Sequence, residues 1–205
     1  MARLYIGSLP SKYLKETYRD LKMNQPEGTV RKEIPIPLAV PKATVVISYS
    51  ADAEYNPAGN LTMDVLKGIL DLVYTEKVRE EQGGTYGVSI SATSQKRPEE
   101  KASLLVAFEC DPERATELKQ IIYSELDGIA KNGPRQVDLD KTVSNLLKDR
   151  EEASQHNSYW ANTVRTYYLT GIDNNDYRNF AGILNKLTAK HVKQAAKKFL
   201  AKPDL

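Results

Sequence analysis

At Gly83–Gly84 the hydrophobic period of the chain changes, and that switch narrows the folds open to it. Before the glycines, Leu61, Val65, Ile69, Leu72 and Val73 recur at helical spacing, and Leu66 and Leu70 widen the stripe. The pattern predicts a helix from about Asn60 to Glu81, stopped by the glycines. After them, in TYGVSISATSQKRPEEKASLLVAFEC, the period falls to two. Val88 and Ile90 alternate with Ser89 and Ser91. Leu104, Val106 and Phe108 alternate with Leu105, Ala107 and Glu109. Alternation of this kind is a strand with one buried face. The polar link QKRPEEK makes the two runs an antiparallel hairpin with a charged tip.

The flanking sequence extends this frame. ATVVISYSA reads as a strand, with Val45, Ile47 and Tyr49 on the more buried side. RLYIG reads as a short opening strand. LPSKYLKETYRDL reads as a helix, with Ser11 as N-cap and Leu14, Tyr18 and Leu21 at helical spacing. The next stretch carries Pro26, Pro35, Pro37 and Pro41, which predicts an extended connection. Asp111 and Pro112 form a helix start. Leu118, Ile121, Ile122, Leu126 and Ile129 then give that helix its stripe, and Asn132–Pro134 end it. A long helical stretch is expected from about Val137 to Leu169; its middle, KDREEASQHN, is polar all round, so the stretch is exposed or interrupted there. Tyr159 and Trp160 are core candidates within it. Two short helices, near Tyr177–Asn185 and Thr188–Leu200, close the chain. The order predicts an α+β two-layer sandwich, a mostly antiparallel sheet with helices packed on one face, as a single domain over residues 1–205. A strand in the first residues suggests that Met1 begins a piece of a longer protein.

Several function classes drop out. The net charge of +2 is small for a nucleic-acid binder. The basic end, KHVKQAAKKF, reads as the solvated face of a terminal helix. No apolar run approaches 18 residues, so no membrane span is expected. Nothing at the start resembles a signal peptide. Cys110 is the only cysteine, which excludes an internal disulfide. His156 and His191 lack metal-ligand spacing. The sequence has no His-x-x-Glu-His, Cys-x-x-Cys, phosphate-loop or nucleophile-elbow motif. The residues by themselves make no complete catalytic set.

What stands out is VREEQGGTYGVSI. Arg79 falls in the last turn of the long helix, and Gly84 and Tyr86 open the strand that follows. A glycine-mediated reversal brings the strand back beside the helix end, so the guanidinium and the phenol can converge. Arginine offers planar donors to a peptide carbonyl or carboxylate. A tyrosine hydroxyl can donate to an oxyanion formed by attack on a carbonyl. A plainer reading stands beside this one. A cation at a helix C-terminus is favoured by the macrodipole, and tyrosine is common in strands.

LDLVYTEKVREEQGGTYGVSISAT resembles the C-terminal half of the insulinase/pitrilysin family of zinc metallopeptidases, the inverzincins, to which the mitochondrial processing peptidases are related. Arg79, Glu80, Gly84 and Tyr86 match its Arg-Glu helix end, glycine turn and strand-leading tyrosine. ARLYIGSL resembles the family's entry into a domain. NSYWANTVRTYYLTG, with Asn157 and Trp160, resembles its late helical segment. The resemblance implies a non-zinc-binding α+β domain with an antiparallel sheet, and a sheet of fewer than four antiparallel strands would count against it. The domain would face a zinc-bearing domain or subunit across a closed chamber and bind peptide substrate there. Arg79 would orient the peptide backbone and Tyr86 would donate to the oxyanion, with Gly84 in the binding turn. An exposed strand edge would hold the peptide by β-augmentation. Zinc would belong to the parent enzyme and none to this chain, which alone would be inactive. Neither nucleic acid nor membrane is implied as a partner. For a bacterial parent the expected compartment is the periplasm. Two other readings remain open: a non-catalytic scaffold subunit of the same superfamily, and an unrelated α+β peptide-binding module.

Overall fold

The alternating segments pair as the period predicts. The computed structural model describes residues 1–10, 12, 17, 19, 28–80, 87–172 and 178–201, without the side chains of residues 2, 79, 80 and 201. Strands β1 (Ala43–Asp52), β2 (Val88–Gln95) and β3 (Lys101–Cys110) form an antiparallel sheet in the order β1-β3-β2. Ile47 and Ile90 flank Val106, Tyr49 and Ala92 flank Leu104, and Val45 and Val88 flank Phe108. Since alternate side chains share a face, one register gathers all of these on the same side. That side is the core face. Val46, Ser89, Ser91, Thr93 and Leu105 lie on the other and are exposed.

Three strands are found among the described residues, where four or more were expected of the family. The expected opening strand is a four-residue helix, α1 (Ala2–Tyr5). A strand needs a neighbour for its backbone groups. Here Leu4 and Tyr5 donate locally to the Met1 carbonyl, and Leu4, Tyr5 and Ile6 stay exposed. The helix expected around Ser11, Leu14, Tyr18 and Leu21 lies outside the described residues. Residues 28–42 form no regular element, in keeping with their prolines.

Helix α2 (Pro57–Tyr74) starts three residues ahead of the predicted Asn60. The side chain of Asn56 accepts from the Gly59 N–H at 2.7 Å, and Pro57 takes the first helical position. Leu61, Val65, Leu66, Ile69, Leu70 and Val73 are buried, and Leu72 is half-buried. Asp111 accepts from the Glu113 N–H and caps a short 3-10 turn, Pro112–Arg114, that leads into α3 (Ala115–Asn132). Leu118, Ile122, Leu126 and Ile129 are buried as expected. The long helical stretch is interrupted in its polar middle and forms two helices, α4 (Gln136–Ala153) and α5 (Asn157–Thr170). Its polar middle has no apolar stripe to hold it continuous. The break at residues 154–156 is closed by local bonds, Ser154 Oγ to the Glu151 carbonyl and Trp160 Nε1 to the Ser154 carbonyl. Trp160 is therefore not core but 49% exposed. Tyr159 is half-buried, with the Arg150 guanidinium 4.7 Å above its ring. Short helix α6 (Phe180–Leu184) and helix α7 (Ala189–Ala201) follow. Val192, Ala196 and Phe199 turn inward from α7, and Lys197 and Lys198 face solvent.

Helices α2, α3 and α7 cover the core face of the sheet, α2 over β2 and α7 with α3 over β1. This is the two-layer α+β arrangement that the sequence predicts. Helix α4 packs against α2 at Gly68, where a Cβ would stand 2.5 Å from Thr142 Cγ2. Thr142 is buried and β-branched, so it has little room to turn away. Gly68→Ala should therefore destabilise the fold by about 1–3 kcal/mol through overpacking, despite alanine's better helix propensity. An unchanged urea midpoint would mean that α2 and α4 separate freely.

Candidate functional site

Helix α2 does not end as a plain α-helix. Residues Thr75–Glu80 continue it as a π-helical segment, and Arg79 is its penultimate residue. Winding with i→i+5 bonds is uncommon and shifts the helical phase of the residues it carries. Three tethers fix this segment. At its root, Tyr74 is fully buried and its hydroxyl donates to the Ile122 carbonyl of α3 at 3.1 Å. Burial, then the neighbouring Tyr49 and Glu125, push that phenol far above its ordinary pKa, so it stays a donor. Val78, one residue before Arg79, is fully buried in the core. On the outer side Glu76 takes both terminal nitrogens of Arg135, at 2.6 and 3.3 Å. The hydrogen bond from Arg135 holds the Glu76 carboxyl below its usual pKa.

Past residues 81–86 the chain returns as β2, which packs against both the π-helical segment and α2. The far end of β2, at Ser94, borders a cavity with Ala58 and Thr62 from the first turns of α2. The strand thus runs back along the helix, as the glycine reversal in the sequence predicts. Gly84 and Tyr86 lie outside the described residues, as does the side chain of Arg79.

The sequence reading missed the π-helical winding and the Glu76–Arg135 bond. Arg135 is 59 residues from Glu76 and carries no local motif. Among the described residues no group of three or more His, Cys, Asp or Glu is placed to hold a metal ion. His156 is exposed ahead of α5, and His191 Nδ1 accepts the Thr188 N–H at 3.1 Å at the start of α7. Among the described residues no helix is long and apolar enough to cross a membrane.

The family model described as "Peptidase M16 inactive domain" matches residues 1–146 of the 205. The chain belongs to this family. The resemblance carried by LDLVYTEKVREEQGGTYGVSISAT therefore holds at the level of the family, with three strands among the described residues. Solved structures share the fold of this M16 domain. A protease from Helicobacter pylori superposes with a TM-score of 0.78 at 16% identity, over 98% of this chain and 49% of that one. The periplasmic protease PqqL from Escherichia coli gives 0.68 at 22% identity, over 81% of this chain and 18% of that one. A Bordetella parapertussis chain, described as the inactive peptidase domain of a zinc-protease candidate, gives 0.60 at 13% identity, over 80% of this chain and 87% of that one. The M16 domain thus spans half or less of the first two and most of the third. No curated protein sequence matches it.

Proposed function

We propose that this M16 domain is the substrate-binding, oxyanion-assisting C-terminal-half domain of a zinc-dependent metalloendopeptidase. The observation that carries the proposal is the tethered π-helical end of α2, followed by the reversal into β2. The backbone of Arg79 belongs to this segment, which packs against β2. In this reading Arg79 orients the peptide backbone and Tyr86 donates to the tetrahedral oxyanion, with Gly84 in the turn between them. Strand β2 is an edge of the sheet among the described residues and begins at Val88, two positions after Tyr86 in the sequence. An extended peptide added there would pass the same end.

Among the described residues no cluster of His, Cys, Asp or Glu is placed to hold zinc. The chain's two histidines are far apart in sequence and no His-x-x-Glu-His is present. In this reading zinc belongs to another domain or subunit, which also supplies the attacking water. The isolated chain should take up no zinc by calorimetric titration and cleave no peptide, with or without the metal. Mixing with the zinc-bearing domain should produce hydrolysis that a chelator abolishes. Zinc-dependent cleavage by the isolated chain would overturn the assignment.

A further inference from the structure

We infer that Arg135 is a positioning residue that acts through Glu76 on the turn carrying Arg79. As a statement about catalysis it rests on the function proposed above. Arg135 stands at the N-cap of α4, after Gly133 at φ +86° and Pro134. Its guanidinium is gripped from two sides. Nε donates to Asp138 Oδ2 at 2.6 Å and Nη2 to Asp138 Oδ1 at 3.1 Å, while both terminal nitrogens reach the two Glu76 oxygens. Asp138 is 6% exposed in the first turn of α4, where the helix dipole favours its charge. The buried carboxylate fixes the plane of the guanidinium, and that plane fixes Glu76, three residues ahead of Arg79.

The Arg135–Glu76 pair acts on geometry more than on stability. The Arg135 and Glu76 side chains are 54% and 37% exposed, and ion pairs of that kind add little to folding. The same stretch is already anchored in the core by Tyr74 and Val78. What a doubly bidentate fork adds is direction. A lysine at 135 would keep the charge and lose the plane.

The test compares Arg135→Ala, Arg135→Lys and Arg79→Ala, alone and with Arg135→Ala, in the assembled protease. Arg135→Ala and Arg135→Lys should each lower kcat/KM about tenfold. Arg135→Ala also leaves the buried Asp138 carboxylate without this partner and should lower the melting temperature, whereas Arg135→Lys keeps a cation there and should leave it nearly unchanged. In the Arg79→Ala background, Arg135→Ala should cost nothing further, because coupled residues are not additive. Amide exchange at residues 76–80 of the chain should rise about tenfold in Arg135→Ala, while β3 stays protected. Additive losses in the double variant, or unchanged exchange at 76–80, would overturn the inference. If Arg79→Ala alone leaves hydrolysis intact, the proposed function fails instead. The exchange experiment then still decides whether Arg135 holds the turn.

Discussion

Tyr86→Phe should slow peptide hydrolysis by the assembled protease about 100-fold or more, because one oxyanion donor is lost. The change removes a single oxygen and keeps the ring, so circular dichroism and the melting temperature should match the parent. The loss should fall on kcat as well as kcat/KM, since the oxyanion exists only along the reaction path. Arg79→Ala should behave differently. An arginine that orients the peptide backbone already contacts the ground state, so KM should rise with kcat less affected. Unchanged rates in both variants would remove the active role. Arg79 would then be a cation at a helix end and Tyr86 an ordinary strand residue, and the scaffold reading would replace the peptidase one.

The parts of the fold that were legible in the sequence share one property, an apolar period long enough to outvote local ambiguity. The stripe from Leu61 to Val73 and the alternation from Val88 to Phe108 each repeat several times, and both stand where the period put them. What failed was short or lacked a stripe. RLYIG has strand-like residues, but a strand is a paired object, and with no strand neighbour among the described residues the segment bonds locally as α1. KDREEASQHN has helical residues without an apolar side, which marked the place of an interruption, and α4 and α5 part within it, but its position to the residue was not legible. Asn56–Pro57 was a legible helix start that passed as a loop, because the stripe it serves begins four residues later at Leu61. In the candidate site, the reversal after the glycines was legible and the brace was not. Glu76, Arg135 and Asp138 come together only through tertiary packing, and each alone reads as a solvated charge.

Leu104 and Leu105 offer the sharpest test of the sheet. They are adjacent and chemically identical, and they point to opposite faces of the central strand. Leu104 is fully buried between Tyr49 and Ala92 on the core face, whereas Leu105 is 39% exposed beside Ser48 and Ser91. Leu104→Ala should cost about 2–5 kcal/mol, the transfer term plus the cavity left in a core that α2 and α3 cannot readily close. Leu105→Ala in the isolated chain should cost under about 1 kcal/mol, because its side chain leaves less apolar contact behind. Urea unfolding of the two variants side by side reads the difference directly, with equal m-values as the check that both unfold from the same compact state. Equal losses would mean that the outer face is covered in solution or that the register slips by one residue, which would exchange the two faces along the whole strand. A slip would also carry β2 with it and change where the strand begins beside the π-helical end of α2. The same pair of variants therefore tests the frame on which the reading of Arg79 and Tyr86 depends.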